Sequence, residues 1–382
     1  MAIDRLTSSP PSNLVRLGDA TLSDLEAMRL LLQGGSVIDW HRLAFSDSTE
    51  VDRFLRVNEF DPARVADMDR LEELREDAVE YLTRTFSYRI PEEVAIGMPA
   101  RELFLLASSK GRKQTYACIV LKAMHVMNHL AGRELLFKLP IADDEVFGFV
   151  EGKVVKVVEE IRAAGYPISE FAWSRKERDS VVTKLLAKKS TIAANVFDKL
   201  RFRLITRSQE DLPAVLNELL HRLVPFNYVI PGESVNGILP LRRLVEKTPA
   251  FARYADQLQH DLDKDASGRT QLLNEFSGAS YRVINFVADL PVRIDEYLCR
   301  IPEPQVAGAA DLGHVIFVLT EFQVMDAETA QRNEQGENSH QRYKERQWER
   351  VKARLAGGLQ SDQEPTGPTK TPVVDEDEDD ED

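Results

Sequence analysis

Along the first 165 residues apolar side chains return every three or four positions, the spacing of one helical face. Leu22, Leu25, Met28 and Leu32 form such a stripe. Thr21 with Asp24 has the form of a capping box before it, and Gly34-Gly35 closes it. A second helix is predicted to open at Asp61-Pro62, with proline at its favoured first position, and to run through Val65, Met68, Leu71, Leu74, Val79 and Leu82. Pro91 and Pro99 interrupt the next stretch, and further helices are predicted over 113–130 and 144–164. After Ser190 the period changes. Residues 196–206, VFDKLRFRLIT, alternate Leu200, Phe202 and Leu204 against Lys199, Arg201 and Arg203, the period-two pattern of a half-buried strand. Residues 212–223 return to a helical stripe, while 281–288 and 314–324 are β-branched and aromatic. The second of these is apolar enough for a central strand.

This order predicts an α+β fold: a mixed-sheet domain over 166–356, preceded by a mainly helical accessory domain over 21–165. Residues 1–20 are polar, carry Pro10-Pro11 and read as a flexible leader. From Gly357 the chain loses its period and runs into a tail, read as disordered over 357–382.

Composition narrows the function classes. With 382 residues, 43% of them hydrophobic and 29% charged, there is enough apolar material for a sizeable core. No apolar run approaches a membrane span and the first residues lack a secretory h-region, so a cytoplasmic protein is expected. Two cysteines, Cys118 and Cys299, fit a reducing compartment and cannot build a zinc site by themselves. The net charge of −14 owes eight units to DEDEDDED at 375–382, leaving −6 for the rest. That balance argues against a duplex-DNA binder, while leaving room for a local basic surface that holds nucleotide or RNA phosphates.

Several motifs reduce to ordinary structure. His125 and His129 stand four apart on a predicted helix and could meet one metal, but Val126 follows where a zinc-protease helix needs glutamate. Their neighbours Val120, Leu121, Met124, Met127 and Leu130 form a packing face, which favours ordinary core or surface histidines. Lys110, Arg112 and Lys113 read as a solvated helix entrance before they read as phosphate contacts. There is no G-x-G-x-x-G, no phosphate-binding P-loop and no G-x-S-x-G elbow.

The informative residues lie in the second half. Lys176 and Lys184 are eight apart with Ser180 between them; Asp198 begins the alternating strand, and Glu321 and Gln323 share one side of the late apolar strand. Carboxylates on two strands can hold Mg²⁺, and nearby lysines can neutralise a triphosphate. Taken singly, each of these residues has a commonplace structural reading.

In linked order they resemble the synthetase domain of the RelA/SpoT-type (p)ppGpp synthetases, a nucleotidyltransferase-like fold. Lys176, Ser180 and Lys184 match R-x-K-x-x-x-S-I-x-x-K, and Asp198 with Arg203 matches D-x-x-x-x-R. Tyr281 stands at the family's stacking tyrosine, Glu321-Phe322-Gln323 matches E-x-Q, and Tyr343-Lys344 matches the closing pair. Gly268-Arg269 falls at the acceptor loop, beside about 40 extra residues over 229–267. The resemblance implies transfer of pyrophosphate from ATP to the 3′-hydroxyl of a guanine nucleotide. It implies Asp198 and Glu321 as catalytic residues and Mg²⁺ ligands, and Lys176, Lys184, Arg175 and Arg203 as ATP-binding residues. Tyr281, Asn285, Arg269 and Gln323 would then bind the acceptor.

This chain departs from the family on the acceptor side. Ser174 replaces an arginine that packs on adenine, with Arg175 adjacent; Gln271 falls where the acceptor-loop lysine stands; Asn285 replaces a histidine. Two alternatives therefore accompany the first reading: a pyrophosphokinase acting on another acceptor such as tRNA, and an inactive domain that only binds nucleotides or a partner. The family's long members also carry an upstream His-Asp hydrolase domain. The His-Asp dipeptide here is His260-Asp261, inside the insertion, so no hydrolase activity is expected.

Overall fold

The computed structural model describes residues 4–7, 17, 20–34, 42–187, 199–258, 280–302, 308–335 and 340–361. Within these, the fold is the expected α+β arrangement, a mainly helical N-terminal part and one mixed sheet. Six strands run in the order β1-β2-β3-β6-β5-β4. They are β1 (Asp4–Thr7), β2 (Ile168–Arg175), β3 (Leu200–Thr206), β4 (Val235–Asn236), β5 (Ile284–Arg293) and β6 (Val315–Asp326). Only β3 and β6 pair in parallel; every other neighbouring pair is antiparallel.

The predicted strands at 196–206, 281–288 and 314–324 become β3, β5 and β6, with β6 central. Asp4–Thr7, within the segment read as a flexible leader, pairs with β2 as an edge strand. The strands β2 and β4 were not legible in the period of the sequence.

The helices begin where the sequence supplies their caps. In α1 (Leu22–Gln33) the Thr21–Asp24 capping box forms as predicted and Gly34 closes the helix in the left-handed region. The unpredicted α2 (Ser48–Val57) is capped by Asp47, whose carboxylate accepts from the amides of Thr49 and Glu50. The second predicted helix starts later than expected, as α3 (Val65–Phe86). Asp61 takes the Ala63 amide on its own side chain, closing a local turn that holds Pro62 outside the helix. A short α4 (Glu92–Ala95) and α5 (Leu103–Ser108) lead into α6 (Arg112–Lys138) and α7 (Asp143–Ala163). Asp143, Asp144 and Glu145 complement the dipole at the start of α7. Then come α8 (Arg178–Ala187), α9 (Leu212–Arg222), α10 (Leu241–Lys247), α11 (Pro249–Ala252), α12 (Asp295–Leu298), α13 (Ala327–Asn333) and α14 (His340–Ser361).

One face of the sheet is the core. Phe171, Phe202, Phe322 and Phe286 stack in sequence across β2, β3, β6 and β5, with ring centroids 6.0, 5.6 and 5.2 Å apart. Helix α7 lays Val146, Val150, Val154, Val158 and Ile161 into the same core, together with α1 and α9. A second core, under Phe45, Phe54 and Phe104, joins α2, α3, α5 and α6. The helical part therefore does not separate from the sheet at residue 165: α1 and α7 bury their stripes against the sheet, and α2 to α6 form the satellite core.

Helix α6 spans both units. Its Val120, Leu121 and Met124 are buried as predicted, whereas Leu130 is 63% exposed. Gly132 lets α6 press onto β6: a Cβ there would sit 2.5 Å from the Phe317 ring and 2.7 Å from the Val315 carbonyl oxygen. We therefore expect Gly132→Ala to cost about 1–3 kcal/mol through overpacking, read as a lower urea midpoint at unchanged m-value.

Candidate functional site

Alternation along the strands sends one set of residues to the face opposite the phenylalanine ladder. On that face the register sets Arg201 beside Glu321 and Arg203 beside Gln323, while Asn285 of β5 flanks Gln323 from the other side. Ser174 of β2 lies opposite Arg201. At one end the face is covered by α6, which packs on Phe317; at the other Asn333 of α13 meets Met325. Between them lie the polar residues.

Their contacts are specific. Glu321 is largely buried and accepts a hydrogen bond from Arg201 Nε at 2.7 Å. Gln323 Nε2 donates to its other carboxylate oxygen at 3.4 Å. Arg203 reaches Glu334 at 3.5 Å, while its Nε is buried with no hydrogen-bond partner among the described residues. The Asn285 Oδ1 is in the same condition. Burial raises the Tyr281 phenol above its ordinary value; Arg201 and Arg203 oppose the rise and Glu321 adds to it, so the ring stands within the field of these three charges. A donor and an acceptor left unpaired on one polar face are receptive to a hydrogen-bonding ligand.

The other sequence candidates divide. Lys176 donates its amide to the Lys199 carbonyl at 2.8 Å, extending the β2–β3 pairing beyond the strand ends. Lys184 lies in the last turn of α8, and α8 packs against α14, which carries Tyr343 and Lys344. Arg175 is not brought to this face. Strand alternation turns it to the opposite side, where it forms two 2.7 Å bonds to Glu151 and one of 3.1 Å to Asp144, both on α7. Asp198, Arg269, Gln271 and His260-Asp261 lie outside the described residues.

Sequence reading passed over Arg201 as a site residue. Its signal was present in the alternation, since it shares a side with Arg203, but only the pairing with β6 gives it Glu321 as a partner. Among the described residues no group of three or more His, Cys, Asp or Glu side chains stands close enough to hold a metal ion. With both oxygens of Glu321 already engaged, the described residues do not by themselves compose a Mg²⁺ site.

His125 and His129 do not converge on a metal. His129 Nε2 is 2.7 Å from Asp289, and His125 stacks on Tyr228 at 4.6 Å with its Nδ1 3.3 Å from Asn227. These contacts tie α6 to the sheet edge. No helix is long and apolar enough to cross a membrane, among the described residues.

No protein-family model matches the chain, and no curated protein does. Among solved structures, it is similar to small alarmone synthetase 2 from Bacillus subtilis, at 14% identity over 60% of this chain and 92% of that one, with a TM-score of 0.30. Small alarmone synthetase 1 from the same organism matches at 14% identity over 58% and 94%, with a TM-score of 0.27. Its crystal structure bound to its product pppGpp matches at 13% over 58% and 95%, also with a TM-score of 0.27. These values do not assign the chain to a family.

The histidine contacts carry a pH consequence. Burial, with the neighbouring His129 adding to it, pushes His125 down to about 3. The unfolded chain then binds a proton that the folded one refuses, so the contribution is intact above pH 6.5 and is lost as pH falls toward 3. We expect stability to decline through that window with a slope approaching about 1.4 kcal/mol per pH unit from this group. Urea denaturation at several pH values should show His125→Gln flattening the slope.

Proposed function

We propose that this chain is a nucleotide pyrophosphokinase of the (p)ppGpp-synthetase type, moving the terminal pyrophosphate of ATP to the 3′-hydroxyl of a guanine nucleotide. The supporting observation is the polar face on which Glu321 meets Arg201, with Arg203, Gln323 and Asn285 beside it. In the reaction the acceptor O3′ attacks the β-phosphorus of ATP, the bond from that phosphorus to the bridging α,β oxygen breaks, and AMP leaves with the electron pair. Glu321, exchanging Arg201 for the acceptor hydroxyl, would take its proton. Arg201, once released, and Arg203 would face the charge that develops on the transferring phosphates, the task that fixed cations perform in such transfers. Lys176 and Lys184 would add charge for the ATP phosphates, and Tyr281 would stack on the acceptor base. Mg²⁺ belongs to this reading only together with Asp198, and none of these steps passes through it.

A second reading is a nucleotide-binding domain without turnover. The Arg201–Glu321 bond favours it, because the same carboxylate that would act as base is held by a guanidinium on the neighbouring strand.

Labelled ATP incubated with GDP, GTP or total tRNA distinguishes these readings. We expect AMP with a guanine nucleotide, and a fall of about 10²–10⁴-fold in its rate in Glu321→Gln. Tyr281→Ala should weaken guanine-nucleotide binding by about 1–3 kcal/mol while Tyr281→Phe retains it, as a stacking role requires. AMP with tRNA alone moves the acceptor assignment to RNA. No AMP with any acceptor, together with calorimetric binding unaltered by Glu321→Gln, overturns the enzymatic reading in favour of the binding domain.

A further inference from the structure

On the other side of the molecule a cavity of about 240 Å³ opens where α1, α2, α9 and the turn before β2 meet. Asp24, Arg53, Tyr166, Asn217, Glu218 and His221 line it. Helix α9 packs into the phenylalanine core, so the sheet lies between this cavity and the Arg201–Glu321 face. Nothing in the proposed transfer reaction uses these residues.

Most of the polar groups are already committed. Asp24 accepts from His221 at 2.6 Å on one oxygen and from the Thr21 amide at 2.9 Å on the other. Glu218 accepts from the Tyr166 hydroxyl at 2.9 Å and from Arg222 at 2.6 Å. Two groups are not. Asn217 is only 7% exposed, yet its Oδ1 has no hydrogen-bond partner among the described residues. Arg53 contacts the His221 ring at 3.2 Å and lies in the field of Asp24 and Asp47, but among the described residues no direct ion pair holds its guanidinium. A buried acceptor without a donor is costly and so is receptive to one, and a cation facing a ring leaves most of its donors open to an anion.

We propose that this cavity binds a small zwitterion of α-amino-acid size. The carboxylate of the ligand pairs with Arg53, which offers a bidentate fork to such a group. Its ammonium donates to Asn217 Oδ1, in the negative field of Asp24 and Glu218. The committed state of those two carboxylates disfavours a bare metal cation, which needs oxygens free to coordinate. The volume lies below the roughly 300–1,000 Å³ typical of sites for drug-sized ligands, which selects against a nucleotide. Because Asp24, Arg53 and Asn217 belong to α1, α2 and α9, a ligand held by them ties the satellite helical core to the sheet.

Calorimetry on the full chain with each of the twenty L-amino acids tests this, with acetate and inorganic phosphate as anion-only probes and ethylamine as the amine-only probe. We expect at least one amino acid to bind with a dissociation constant between about 1 μM and 1 mM. The single-charge probes should bind at least about tenfold more weakly, and Arg53→Gln and Asn217→Leu should each lower affinity by about tenfold or more. Glu321→Gln should leave this binding unchanged, which separates the cavity from the nucleotide face. Circular dichroism and a urea midpoint establish that each variant is folded; if Asn217→Leu is not, Arg53→Gln decides alone. No binding by any amino acid, binding of acetate or phosphate as tight as that of the amino acid, or full affinity in Arg53→Gln would each overturn the proposal.

Discussion

The stacking of Phe202 on Phe322, with Phe171 and Phe286 continuing the row, sets the register on which the rest depends. In a strand alternate residues share a side, so a register that matches Phe202 to Phe322 necessarily sets Arg201 against Glu321 on the opposite face. A one-residue slip would bury the arginines in the core and turn the phenylalanines outward. The apolar face and the polar face are thus two consequences of one alignment. The core is specified strongly by burial, and the site inherits its precision from the core without having to supply it.

That alignment joins residues 120 positions apart. Parallel pairing of β3 with β6 requires a long crossover, and the chain uses it to place β5 on the far side of β6, antiparallel. Asn285 therefore arrives at the same patch from a third strand. Arg175, one residue from Ser174, is sent to the other side and holds α7 through Glu151 and Asp144 instead. Neighbours in sequence serve different faces, and partners on one face are distant in sequence.

The helical part shows the same logic at larger scale. Periodicity located α1, α6, α7 and α9 because each carries a stripe that any apolar partner would satisfy. It did not show that α1 and α7 cover the sheet while α2 to α6 close a second core, since a stripe specifies that burial occurs and not against what. It missed β2, whose sequence ISEFAWSR mixes aromatic, small and charged residues without a clean alternation. It placed the start of α3 too early because the side-chain turn of Asp61 competes with the proline signal.

The order of residues dictates local features: the capping box of α1, the alternation of β3, the apolar centre of β6, and the existence of a basic and acidic set beyond residue 170. These arise from periods of 2 and 3.6 and from side chains that bond their own backbone, which need no distant partner. Pairing is settled only in the folded chain: that Arg201 holds Glu321, that Arg175 stands apart, that Asn217 and Arg53 face one cavity. Those contacts depend on strand order, register and helix docking, which are set by the burial of the whole chain and leave no mark on the spacing of any one segment.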